Sequence, residues 1–509
     1  MDIKEWEKSE DFLHINYKPD GTAVEGRVNA SFGKRIKNSF GRLTDGVFLH
    51  WRWDSKTLVI ENDRYGLYPL FFACWDDEII ISTSILPILK SGVSLELDYD
   101  ALSVFFRIGH MLENDTPFKN VHLLPPNSEL SWCDGKLSIK QNNTKCFQSN
   151  AYISYSEAVE GYKHYFTQSI SRRLPEDNNF VVPITGGRDS RHILFELVKQ
   201  NRSPNKCVTL QYRPPATNED ERIAKIICNM LNLNHEIVDK PECWFSAVVR
   251  DIYLTNFCGG GHSWALPLRQ YYDDNKISCG FDGLAGDVLS AGHAMTAENA
   301  KMLVSGDPQK TALSLLSDSG FEGFNRGAFY KEFHDNINID RAADRLSKNI
   351  IHHRETSNPS LSYTFWNRTR RGISSIPYSL LSNVDVVHCP YLDHDFFDFC
   401  TSLPREISLN KNFHDDVINA SYPEFSSIPY ENKNIEAEKD VEFIKYYGTS
   451  IFKYFKYLLS IDSDMSGLID KRYLYKRIAI NLLKINKQQP WYLRRAIYLS
   501  ELEKIINNS

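Results

Sequence analysis

Residues Ile184-Thr-Gly-Gly-Arg-Asp-Ser-Arg191 have the types and spacing that phosphate chemistry needs. Two adjacent glycines, Gly186 and Gly187, let a backbone come close to a pyrophosphate, Thr185 and Ser190 add hydroxyl donors, and Asp189 is a hard oxygen ligand for Mg2+. An apolar run, Phe180-Val-Val-Pro-Ile184, precedes the glycines, and a helix-like stretch, Arg191 to Val198, follows them. A strand, a turn and a helix start in that order aim backbone N–H groups and the helix dipole at an anion. The spacing matches neither a Walker A loop nor a G-x-G-x-x-G turn. The bland alternative is an ordinary strand-to-helix turn.

The elements that would position this turn follow from the pattern around it. From about residue 40 to 140 short apolar runs at 46–51, 57–61, 70–74 and 78–83 alternate with polar turns and predict stacked antiparallel strands. After Gln141-Asn-Asn-Thr144 the pattern becomes helices alternating with short apolar strands, as a parallel α/β unit requires. Strands are expected at 180–185, 207–212 and 277–281, with helices near 155–173, 190–201 and 218–232. The expected division is 1–150, 151–435 and 436–509, the last a set of helices rich in aromatic, Lys and Arg residues that dock on the middle unit.

A chain of 509 residues with 42% hydrophobic content is ample for buried cores. Its net charge of −6 argues against nucleic-acid or anionic-membrane partners. Residues 1–10 lack the apolar core of a signal peptide, and no run suits a membrane span, so a cytoplasmic location is expected. The ten cysteines have no C-x-x-C pairing and suit reduced core thiols. His352-His353 is expected on an exposed helix and not at a metal, and Cys258-Gly-Gly-Gly-His262 is either a loop bordering substrate or a plain helix entry.

The glycine turn resembles the Ser-Gly-Gly-x-Asp-Ser signature of the ATP-pyrophosphatase (PP-loop) family, and several further segments resemble asparagine synthetase in the same order along the chain. Glu61 to Ala73, Ile80-Ile-Ser-Thr-Ser84 and Val121-His-Leu-Leu-Pro-Pro126 resemble parts of that family's glutaminase domain. Asn218-Glu-Asp-Glu221 with His235-Glu236, Gly283-Leu-Ala-Gly-Asp-Val-Leu-Ser-Ala-Gly292 and Cys389-Pro-Tyr-Leu-Asp393 resemble parts of its synthetase domain. The resemblance implies an α/β chain, with an N-terminal antiparallel domain of the Ntn-amidotransferase type followed by a parallel-sheet adenine-nucleotide domain and C-terminal helices.

By the same resemblance, ATP and Mg2+ would be the cofactors. Thr185, Gly186, Gly187 and Ser190 would hold pyrophosphate, Asp189 and Asp287 the metal, and Leu210 and Gly283 would border the adenine. Lys433 would stabilise charge on the departing pyrophosphate, and Arg188 and Arg191, which bracket the Asp-Ser pair, would add positive charge at the phosphates. The implied activity is an AMP-forming ligase that adenylates a small-molecule or peptide carboxylate and passes the acyl group to ammonia or an amine. A homodimer is left open.

Two departures qualify the resemblance. Position 2 is Asp where glutamine-hydrolysing members carry Cys, which implies a scaffold role for the N-terminal domain, as in β-lactam synthetases and lasso-peptide cyclases. Leu284 and Val288 stand where the family loop carries Glu. Neither can exchange a proton, so Glu219, Glu221 or His262 would supply a base, or the amine arrives neutral, or the chain is a nucleotide-binding pseudoenzyme. A ring-closing cyclase is a further alternative. A sulfur-transferring pyrophosphatase is a weaker one, because no reactive-Cys motif is evident.

Overall fold

The computed structural model describes residues 11–18, 21–142, 147, 152–214, 217–291, 297–317, 327–431, 441–460, 468–483 and 493–508. Ten strands build the N-terminal half: β1 Phe12–Asn16, β2 Ala23–Gly26, β3 Asn29–Lys37, β4 Leu43–Trp53, β5 Thr57–Asn62, β6 Phe71–Trp75, β7 Glu78–Ser82, β8 His122–Leu123, β9 Ser128–Cys133 and β10 Lys136–Gln141. They form two antiparallel sheets, ordered β2-β1-β7-β6-β8 and β10-β9-β5-β4-β3. Alternation drives the layering, since β1 and β5 bury every second side chain and present Leu13, Ile15, Leu58 and Ile60 to a core shared with Trp51, Ile79, Ile81 and Trp132.

The second half carries a parallel sheet of β11 Val181–Pro183, β12 Lys206–Leu210, β13 His235–Val238, β14 Cys279–Phe281 and β15 Val386–His388, ordered β13-β12-β11-β14-β15. The strands are paired in parallel, Val181 opposite Lys206 on one side and Gly280 on the other. That doubly wound order reverses direction between β11 and β14, and the loops leaving the carboxyl ends of those two strands open onto one crevice. The chain is thus mixed α/β, an antiparallel N-terminal part followed by a parallel α/β part. The helix Tyr155–Ser171 that leads into the sheet starts at a capping box, with Ser154 accepting from the Glu157 N–H and Glu157 accepting in return from the Ser154 N–H.

A buried ionic clasp joins the halves. Arg173 lies between Asp45 of β4, at 3.0 Å, and Asp393, at 2.6 Å, all with side chains 2% exposed or less. Asp393 also caps the helix His394–Ser402, and Asp45 accepts from the His394 N–H. The resemblance to the Pro-Phe-Leu-Asp segment therefore falls on a structural carboxylate.

The C-terminal helices Val441–Ser460 and Leu493–Asn508 pack on the helix Trp244–Leu254. They reach further than the sequence reading placed them: Tyr498 also lies against Phe105 and Phe106 of the N-terminal half. His352 is exposed beside Glu113, as expected, but His353 is buried against Ser362 and Tyr363, because it occupies the apolar face of the helix Ile339–Arg354. Six of the described cysteines are buried and all are free thiols, while Cys146 lies outside the described residues. No helix among the described residues is long and apolar enough to cross a membrane.

Candidate active site

The helix Asp189–Lys199 begins immediately after the glycine turn, and its N-terminus has no side-chain cap, so its first-turn N–H groups remain available to an anion. The turn is tightened from within: Thr185 Oγ1 accepts from the Gly187 N–H at 3.2 Å, and the Thr185 N–H donates to Ser190 Oγ at 3.1 Å. Gly186 is needed for close approach, because a Cβ there would stand 2.9 Å from Glu431 Cβ and 3.0 Å from Asp220 Oδ1.

The loop after β14 meets the turn from the other side of the crevice. The Asp287 N–H donates to Asp189 Oδ2 at 3.1 Å, and Cβ atoms built on Gly283 and Gly286 would stand 2.8 and 2.5 Å from Asp189 side-chain carbons. Ala285 between them sits at φ 76°, a left-handed conformation costly for a residue with a side chain, which suits a backbone held in one shape. Among the described residues Asp189 Oδ1 is buried and has no hydrogen-bond partner. Its nearest basic neighbour is His414 Nδ1 at 3.6 Å, and burial pushes that imidazole down to about 3, so it stays neutral. Burial, then the charges of Asp287 and Asp282, push the Asp189 carboxyl well above the usual range. Asp282 is raised to about 6 by burial, against one backbone hydrogen bond from Leu284.

Asp189 and Asp287, which meet across the crevice, are the side chains that could hold a divalent cation. Among the described residues no group of three or more His, Cys, Asp or Glu side chains forms a metal cage by itself.

Leu210 ends β12 and Gly283 follows β14 by two residues, on either side of the turn. Lys433 lies outside the described residues. Arg188 reaches the turn but is held by Asp415 and stacks on Tyr430, 4.7 Å from the ring centre. Arg191 faces away from any phosphate: it is buried and gives its protons to the carbonyls of Gly186, Ile428 and Pro429, since a cation at a helix start is disfavoured unless its donors are spent elsewhere.

Of the three base candidates, Glu219 pairs with Arg222. His262 lies beside Asp251, which binds its N–H, and no interaction recorded for it reaches the two aspartates. Sequence reasoning missed Asp220, the inward-turned member of the acidic helix start, which accepts from the Gly186 N–H at 2.6 Å and from the Tyr212 hydroxyl. The helical spacing of Asn218-Glu-Asp-Glu221 carried that signal, because Asp220 shares a face with the buried Ile223 and Ala224. Leu284 and Val288 are 3% and 1% exposed and belong to the apolar core under the turn.

The fold is that of an α/β protein with an antiparallel N-terminal part and a glycine turn at the topological switch point of its parallel sheet. Residues 32–143 match the family model of a glutamine amidotransferase domain. The chain is similar to the amidase chyE of Penicillium rubens, at 21% identity over 467 residues, covering 76% of this chain and 66% of that protein. It is also similar to the amidase chry2 of Gibberella zeae, at 20% identity over 476 residues, covering 77% and 67%. The chain thus spans about two thirds of the length of these relatives. The solved allosteric regulatory enzyme of purine biosynthesis aligns at 8% identity and a TM-score of 0.14, over 39% of this chain and 48% of that one, too little to bear on the fold.

Proposed function

We propose that this chain is an AMP-forming ligase that joins a carboxylate to ammonia or an amine at the expense of ATP. The observation that carries the reading is the meeting of Asp189 and Asp287 beside an uncapped helix N-terminus, with one Asp189 oxygen buried and unpartnered. In this reading the two aspartates hold Mg2+, the first-turn N–H groups with Thr185 and Ser190 hold the pyrophosphate end, and Leu210 and Gly283 flank the adenine. The nucleotide supplies the leaving group that makes a carboxylate reactive. What the chain contributes is charge neutralisation at that leaving group and exclusion of water by the apolar floor under Leu284. The amidotransferase-domain match and the relatives named amidases support amide chemistry.

A second reading, a nucleotide binder without ligase chemistry, draws on the burial of Leu284 and Val288. The experiment that decides is pyrophosphate release from Mg-ATP over a panel of carboxylates, with Asp189→Asn as the control. Release that depends on carboxylate and vanishes in the variant supports the ligase; release unaffected by the substitution refutes the site; ATP binding without any release favours the second reading.

A further inference from the structure

The carboxyl edge of the parallel sheet runs on from the glycine turn into a cationic region that the ligase scheme leaves unused. The loop that follows the helix Trp244–Leu254 lies there, between the residue three positions beyond β12, the wide-turned helix Thr364–Ile373 and the C-terminal helix. Arg213 Nη1 donates to Ser263 Oγ at 3.2 Å. Arg494 lies so close to the loop that a Cβ on Gly261 would stand 2.7 Å from its Nη1. The Tyr498 hydroxyl, one turn along, pins the helix to the loop by donating to the Phe257 carbonyl at 2.7 Å.

The charges here do not balance. Among the described residues Arg494 Nε is buried without a hydrogen-bond partner. Asp251 is the carboxylate that acts on Arg494; its Oδ2 accepts from the N–H groups of Gly261 and His262, and its Oδ1 is buried without a hydrogen-bond partner among the described residues, which leaves one carboxylate against several guanidinium groups. Tyr446 adds a hydroxyl that is buried and unpartnered. Burial first, and then the charges of Arg494 and Arg368 against the opposing pull of Asp251, hold His262 below its ordinary range, so it adds no further positive charge. Guanidinium groups withdrawn from water without partners are costly, and their planar forks match carboxylate or phosphate oxygens two at a time.

We infer that Arg213 and Arg494, brought against the loop 259–263, form a subsite for a second acidic group of the substrate, a carboxylate or phosphate distinct from the carboxyl that reacts. The inference rests on the ligase reading only in calling its ligand a substrate. Charge and the forked donors set the class: a small dianionic acid, recognised at one end by the glycine-rich loop and presented to the crevice at the other.

The test titrates the full-length chain and its R213Q and R494Q variants with succinate, inorganic phosphate and butyrate at fixed ionic strength, read by calorimetry and thermal melting. Succinate or phosphate should bind at least tenfold tighter than butyrate, and each variant should lose at least tenfold of that affinity; the stronger of the two anions identifies the acidic group. Saturating inorganic pyrophosphate, directed at the glycine turn, should leave the response in place. Equal binding of succinate and butyrate, unchanged affinity in either variant, or displacement by pyrophosphate would each overturn the inference. Failure of pyrophosphate to bind would count against the nucleotide reading alone.

Discussion

Leu284→Glu places a carboxylate where the asparagine synthetase loop that this segment resembles carries Glu. Leu284 is 3% exposed within the core beneath the turn, so the substitution removes a buried apolar side chain, worth about 1.5–3 kcal/mol. It also adds a carboxyl beside Asp282, whose own carboxyl is already raised to about 6. If the new group is lifted by a similar two pKa units, it costs about 3 kcal/mol at pH 7, for a total of about 4–6 kcal/mol. An acid raised in the folded state keeps its proton longer there, so the ionic part of the cost is absent below about pH 4, grows as pH rises towards 6 and is complete above it. Urea unfolding of both forms should therefore show a gap of about 2–3 kcal/mol at pH 4 that widens to the full amount at pH 8. Amide formation with ammonia should not rise, because this position faces the apolar core and not Asp189. A loss under 1 kcal/mol, a gap independent of pH, or a gain in amide product towards the ~10²–10⁴-fold of a restored general base would refute the reasoning.

Further outcomes follow from the same geometry. Asp287→Asn, at an exposed position, should leave the circular dichroism spectrum unchanged and abolish Mg2+-dependent pyrophosphate release; retained release would remove Asp287 from the metal site. Because Asp282 is raised to about 6, it should destabilise the ligand-free chain progressively between about pH 4 and pH 6, so the stability advantage of Asp282→Asn should grow by up to about 3 kcal/mol over that interval in a denaturant series. Asp393→Ala leaves Arg173 buried with half its clasp and should cost about 3–5 kcal/mol, whereas an exposed pair such as Arg27 with Asp11 should cost under about 1 when broken.

The sequence exposed the crevice better than its walls. The strand expected at 180–185 is β11 with one or two residues trimmed from each end, and the helices expected at 155–173, 190–201 and 218–232 are Tyr155–Ser171, Asp189–Lys199 and Glu219–Met230. Periodicity identifies such elements because each buries one face. The strands β1, β2 and β3 were not read: β2 is exposed along its whole length, so no alternation marks it. The three-residue β15 joins the sheet from more than a hundred positions beyond β14, and only tertiary pairing distinguishes it. Charge is where local reading failed most. Arg191 looks like a phosphate ligand by spacing, yet its carbonyl partners stand far along the chain and leave no local trace. Cys258-Gly-Gly-Gly-His262 signalled a loop that can approach a ligand, but not the arginines that other elements bring against it.

Those carbonyl partners also set a timetable for synthesis. Arg191 bonds to residues translated 237 and 238 positions later, and Glu431 closes over Gly186 from the same late segment. At roughly 5–20 residues per second the glycine turn emerges from the ribosome on the order of ten to fifty seconds before the backbone that covers it. Through that interval a nascent chain carries an unsatisfied arginine on an apolar helix, together with an open sheet awaiting β14 and β15, the kind of exposed surface that chaperones hold. A premature stop anywhere before residue 428 leaves that surface permanently exposed, so truncated products should be aggregation-prone or degraded even when most of both halves has been made.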